Sequence, residues 1–92
     1  MFKAQLVGVY TVGEMPEELR PFVNLESKRE RRHLKLSDRF LALQVEGTQA
    51  YLALFLDSLS TMKKLEARLQ EQDCELNPIS RASIERIIEE RK

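Results

Sequence analysis

The stretch from Phe40 to Asp57, FLALQVEGTQAYLALFLD, constrains the fold more than any other part of the chain. Two apolar runs, Phe40–Val45 and Ala50–Leu56, flank a polar break at Glu46-Gly47-Thr48-Gln49. A chain of 92 residues has little core to spare, so runs of this kind must be buried together. Leu41, Leu43 and Val45 alternate with Ala42, Gln44 and Glu46, the period of a half-buried strand. Gly47 supplies a turn residue that accepts a positive φ. Ala50–Leu56 has neither a period of 2 nor one of 3.6, so a single helix over 48–72 is the competing reading. The residues that follow favour the hairpin. Asp57, Ser58, Ser60 and Thr61 would fall in the middle of that helix, where their side chains compete for backbone hydrogen bonds. The same residues suit the N-cap of a shorter helix starting near Ser60. The expectation is therefore an antiparallel pair, Phe40–Val45 with Ala50–Leu56, turning at Gly47.

The remaining segments follow from local pattern. Lys3–Val12 is rich in β-branched and aromatic residues and reads as a strand, with Leu6, Gly8 and Tyr10 on one side and Val7, Val9 and Thr11 on the other. Glu14–Glu18 forms a turn, and Pro21 fits the first turn of a helix beginning near Arg20. Leu19, Phe22, Val23 and Leu25 anchor that helix, whereas Glu26–His33 is wholly polar and is expected in solvent or against a partner. Leu34 and Leu36 resume apolar alternation toward Phe40, with a bulge or turn at Ser37-Asp38. Ser60–Gln72 reads as an amphipathic helix, with Leu59, Met62, Leu65, Leu69 and Ala67 as its apolar stripe. Glu75–Asn77 reads as a loop. Ser80 is the expected N-cap of a last helix, stapled by Ile79 and Ile84 and striped by Ile84, Ile87 and Ile88. The result is one α+β domain over 1–92. It has a small antiparallel sheet in β-α-β-β-α order, helices on one face, and a C-terminal helix appended over 77–92.

Composition narrows the chemistry. The chain is 42% hydrophobic and 33% charged, with a formal net charge of zero. No apolar run is long enough to span a bilayer, and MFKAQLVGVY lacks the layout of a signal peptide. With the single cysteine, Cys74, this leads to the expectation of a cytoplasmic protein without a membrane partner. One histidine, His33, and one cysteine make neither a zinc set nor a supported nucleophile–base pair. Gly8, Gly13 and Gly47 form no phosphate loop. Glu17/Glu18 and Glu89/Glu90 sit at helix ends, which argues against paired acid–base work. No catalytic, cofactor or metal residue is assigned, and the chain is read as non-enzymatic.

Two surfaces remain as candidates. Between Arg20 and Arg39 stand seven basic residues against three acidic ones, and Lys28, Arg29, Arg31 and Arg32 are the candidate RNA contacts. An open sheet face and a short Ile-rich helix call for a protein partner, in a homodimer or heterodimer. The candidate docking residues are Leu59, Met62, Leu65, Leu69, Ile84, Ile87 and Ile88. The bland alternatives are a solvated helix end and a stripe that covers the sheet.

From Leu43 to Leu69, LQVEGTQAYLALFLDSLSTMKKLEARL, the chain resembles the small dimerising subunits of the KEOPS complex, which makes the threonylcarbamoyl modification of tRNA. Glu46-Gly47 matches the turn of that family, Ala50–Leu56 its second strand, Asp57-Ser58 the helix opening and Leu59–Leu69 the helix. The basic run Lys28–Arg32 and the Ile79–Lys92 helix depart from the pattern and point to a divergent paralogue. The resemblance implies a non-catalytic scaffold subunit that pairs with a homologous subunit and docks on the catalytic one, with tRNA reached through the complex. The alternatives are a small nucleic-acid-binding or regulatory protein using residues 20–39, and a viral or plasmid accessory protein that inhibits a partner by docking. Aromatic residues near the basic run are limited to Phe22 and Phe40, which gives little support to an RNA-stacking sheet.

Overall fold

The computed structural model describes residues 1–90. Strand β1 spans Phe2–Thr11, helix α1 Arg20–Glu30, β2 Arg39–Val45, β3 Tyr51–Phe55, α2 Met62–Glu71, β4 Cys74–Leu76 and α3 Pro78–Glu90. The expected α+β class and its β-α-β-β-α order are present, followed by the C-terminal helix, whose last two expected residues lie outside the described ones. The sheet runs β3-β2-β1-β4.

The hairpin is the reading that holds. Leu41 lies opposite Leu54 and Leu43 opposite Leu52 in antiparallel register. Gly47 adopts φ +79° in the turn. Thr48 closes that turn, its Oγ1 donating to the Val45 carbonyl at 2.9 Å and accepting from the Ala50 N–H at 3.0 Å. The hydroxyl cluster acts as expected, one residue later than Ser60: Thr61 caps α2 by accepting from the Lys64 N–H.

The helices, however, divide between the two faces rather than sharing one. Leu41, Leu43, Val45 and Leu54 pack with Leu65 and Leu69 of α2 and Ile84 and Ile88 of α3. Phe40, Ala42, Ala53 and Phe55 pack on the opposite side with Leu19 and Val23 at α1. The reason lies in the sequence itself. Phe40, Leu41, Ala42 and Leu43 are consecutive and all fully buried, and a central strand apolar on both faces needs a cover on both.

Three further differences are tertiary in origin. The register of β1 against β2 shifts between Leu6 and Gly8. Leu6 therefore joins the α2/α3 side, while Tyr10 joins the α1 side, and the expected simple alternation of β1 breaks. Tyr10 folds over Gly8, where a Cβ would meet its ring at 3.1 Å. Second, the expected loop at 75–77 begins as strand β4, which pairs in parallel with Phe2–Ala4 and makes the sheet mixed. Third, Asn77 rather than Ser80 precedes α3 and caps it: its Oδ1 accepts from the Ser80 N–H at 2.8 Å, with Pro78 in the first turn. Ile79 is 81% exposed, so no staple with Ile84 forms. The Ser80 hydroxyl instead accepts from the Leu6 N–H at 2.8 Å, which ties α3 to the bulge in β1.

Candidate protein-interaction groove

α1 and α2 lie on opposite faces yet meet around the outer edge of β3. Arg68 of α2 grips Glu26 of α1 there with two parallel bonds, Nη1 to Oε2 at 2.9 Å and Nη2 to Oε1 at 2.7 Å. Glu26 is only 4% exposed. The polar distal half of α1, expected in solvent or on a partner, thus spends one of its faces on this intramolecular contact. The geometry is the planar two-point match that guanidinium offers a carboxylate.

The same guanidinium serves two more carboxylates. Its Nη1 lies 3.7 Å from Glu30 Oε2 and its Nε 3.4 Å from Glu71 Oε2. Arg29 reaches that same Glu71 oxygen at 2.6 Å. Ser58 donates to Glu30 Oε1 at 3.0 Å, but Glu30 Oε2 is buried without a hydrogen-bond partner. Burial above all, and then the neighbouring Glu26, push the Glu30 carboxyl above the ordinary carboxylate range.

Beside this cluster runs an apolar groove of about 400 Å³. Phe22 and Leu25 of α1 form one wall, Tyr51, Leu52 and Ala53 of β3 the floor, and Leu69 and Phe2 the other side. Phe22 meets Tyr51 edge to face at 5.7 Å between centroids. Leu25 is 63% exposed and Phe2 52% exposed. Large apolar side chains open to water on either side of one concavity mark a docking surface more often than scattered single ones do.

The candidate docking residues are placed elsewhere. Leu59, Leu65, Leu69, Ile84 and Ile88 are buried in the core, with Met62 and Ile87 packed at its margin. They are core residues of this domain, since both helices are needed to cover one face of the sheet. Of the seven, Leu69 also lines the groove. The candidate RNA contacts separate into two pairs. Arg29 is held by Glu71. Arg32 is held by Asp57 at 3.1 and 3.3 Å and lies over the Phe55 ring at 3.9 Å. Lys28 and Arg31 stay exposed, with Arg31 at φ 54° closing α1. His33 is exposed, and Cys74 is buried, with burial raising its thiol pKa. Among the described residues no group of His, Cys, Asp or Glu is placed to hold a metal ion, and no helix is long and apolar enough to cross a membrane.

Sequence reasoning missed the groove because its floor and walls come from segments far apart in the chain. Leu25 carried the one available signal: an apolar residue just beyond Val23, adjoining a wholly polar run.

Comparison with known proteins gives the chain relatives. The sequence pattern of the family described as "Domain of unknown function (DUF749)" matches residues 2–88. A protein of Methanocaldococcus jannaschii, "Uncharacterized protein MJ0858", is 26% identical over 89 residues, which cover 96% of this chain and 79% of that one. No solved structure matches the chain.

Proposed function

The chain belongs to the DUF749 family, and from the geometry of its groove we propose that it is a non-catalytic protein-interaction module. The observation that carries this reading is the pair of exposed apolar residues, Leu25 and Phe2, on one groove at the edge of the sheet. A partner inserts apolar side chains between α1 and β3, where the flanking charges are already matched to one another. Pairing through an open sheet face loses its support, because helices lie on both faces. In its narrowest form the proposal keeps the accessory role in a tRNA-modifying assembly that the Leu43–Leu69 resemblance implies, with the groove as the docking surface. A cytoplasmic setting belongs to the same proposal, supported by one unpaired thiol.

A second reading has its own observation. Arg20 and Lys28 are exposed on α1, and Arg31 is exposed at its C-cap. With the exposed Lys35 and Arg39 they are the members of the basic stretch placed to meet a phosphate backbone.

The test of the main reading uses two surface variants. Leu25→Arg places a charge in the groove, and Ile79→Arg places one on α3 outside it. The proposal expects a partner co-purified with the wild-type protein to be lost by Leu25→Arg and kept by Ile79→Arg. Equal retention by both variants overturns it.

A further inference from the structure

Arg68 alone confronts three carboxylates, Glu26, Glu30 and Glu71, at the head of the groove. Glu26 and Glu30 stand four residues apart on α1, and their Oε2 atoms converge on one nitrogen, Arg68 Nη1, at 2.9 and 3.7 Å. The nearer oxygen takes the hydrogen bond. The farther one, Glu30 Oε2, is buried and has no hydrogen-bond partner. An ionised oxygen left in this position is costly, whereas a protonated one becomes a donor and can bond the adjacent Glu26 carboxylate. We propose that Glu26, Glu30 and Arg68 form a proton-loaded latch. One proton held between the two carboxylates relieves their repulsion and lets both stay on Arg68 of α2, and its loss loosens the groove that both helices flank.

The groups around Glu30 pull in both directions: Arg68, with Arg29 and Lys64 in the same cleft, favours the ionised form, whereas burial and Glu26 oppose it. On α1 the nearest is Glu26, like-charged and almost fully buried. From α2 come Arg68 and, across the adjoining cleft, Lys64; Glu71 draws on Arg68 from the other side. The turn after β3 contributes Ser58, whose hydroxyl donates to Oε1 and leaves Oε2 unserved. Beyond the end of α1, Arg32 is committed to Asp57 and Asp38. Burial first and Glu26 second outweigh Ser58 and Arg68, so the Glu30 carboxyl lies above its ordinary range. The sign follows. A carboxyl raised in the folded state binds its proton more tightly there than in the unfolded chain. Its stabilising effect is thus complete below the ordinary carboxylate range and is lost as pH rises through the raised value. Acid tightens the latch and rising pH relaxes it. This regulation rests on the groove being the working site.

Hydrogen exchange on the full chain tests the latch, with Glu30→Gln as the permanently neutral form. Gln keeps an acceptor for Ser58 and presents an amide donor to Glu26. After correction for intrinsic exchange, the wild type is expected to lose protection in the α1 amides from Glu26 to Glu30 between pH 5 and pH 7.5. Glu30→Gln is expected to hold its protection at both. Identical pH dependence in the two proteins overturns the latch. Nile red, an uncharged apolar dye, reports on the groove in the same samples. Greater uptake by the wild type at pH 7.5 than at pH 5, abolished by Leu25→Arg, supports both readings. Uptake sensitive to Leu25→Arg but equal at both pH values removes the gating and leaves the groove. Absence of Leu25-dependent uptake removes the groove, while the exchange result still decides the latch.

Discussion

Removing Arg68 and removing Glu26 should have very different consequences, although the two residues form one pair. Glu26 is 4% exposed and receives both of its hydrogen bonds from Arg68. Arg68→Leu therefore strands a buried carboxylate next to a second one, Glu30. Breaking a buried pair in this way costs about 3–5 kcal/mol. The Arg68 side chain is partly open to solvent at 18%, which argues for the lower end, about 3 kcal/mol. Glu26→Leu leaves Arg68 within reach of Glu30 at 3.7 Å and Glu71 at 3.4 Å. It should cost only about 1 kcal/mol, the net worth of an ordinary hydrogen bond. The double variant puts two apolar groups where the pair stood and should also lie within about 1 kcal/mol of wild type. The cycle then yields a coupling of about 3 kcal/mol. Urea denaturation at pH 7 measures it. With a slope of about 1.5 kcal/mol/M, Arg68→Leu should lower the midpoint by about 2 M. That is a large share of the roughly 5–14 kcal/mol a chain of this length holds. Acid should partly rescue Arg68→Leu, because protonation removes the stranded charge. Equal losses from the two single variants, or a loss below about 1 kcal/mol for Arg68→Leu, would refute the view that Glu26 depends on Arg68 alone.

Other expectations follow from the same geometry. Leu65→Ala should destabilise the isolated domain by about 2–5 kcal/mol in thermal or urea unfolding, because Leu65 is core and not a docking residue. Ser80→Ala should cost about 1–3 kcal/mol by orphaning the Leu6 N–H at the bulge, and an unchanged midpoint would show that water replaces the hydroxyl. Arg31→Gly should stabilise by up to about 1 kcal/mol, since glycine accepts φ 54° without the side-chain penalty. Charge reversal of Arg29 and Arg32 should lower stability through Glu71 and Asp57, so the RNA reading is tested with Lys28→Ala and Arg31→Ala. Those two should flatten the salt dependence of tRNA binding by the assembled protein by about one unit each, and an unchanged slope leaves them as a solvated helix end.

What was legible in the sequence is what depends on neighbours along the chain. Gly47, the hydroxyl cluster Asp57–Thr61 and Pro21 each fix a local choice, and the hairpin and the starts of α1 and α2 lie within a residue or two of where they point. What was illegible depends on residues far apart. Three residues, Cys74–Leu76, carry no period, and they become a strand only because Phe2–Ala4 lies beside them. Ile79 looked like a staple because Ser80 looked like a cap, yet the Ser80 hydroxyl is needed by Leu6, 74 positions away. The position of α1 was hidden in a different way. The alternation of Leu41, Leu43 and Val45 is real, but Phe40 and Ala42 between them are just as buried. A small residue such as Ala42 does not announce that a helix must cover it. The groove and the latch inherit this obscurity, since both exist only because α1 and α2 take opposite faces.

The edge of the sheet explains why the groove lies where it does. The Val45 N–H bonds to the Ala50 carbonyl at 3.0 Å, and this sets the phase of the β2–β3 ladder. In that phase the backbone groups of Tyr51, Ala53 and Phe55 point away from β2, toward the free edge. An unpaired edge invites another strand, and the protein blocks most of it. Arg32 lies over the Phe55 ring, and Ala53 is buried where α1 packs on β3 with the Glu26–Arg68 pair alongside. At the other end of the sheet β4 is short and parallel, and a Lys3–Glu75 ion pair caps it. Among the described residues only the Tyr51 end of β3 remains half-open, and it opens into the groove beside Leu25. One accessible residue is too short a template for strand addition, so apolar side chains must supply the binding there. The ion pairs that protect the edge therefore also set the mouth of the groove, which couples protection from aggregation to access by a partner.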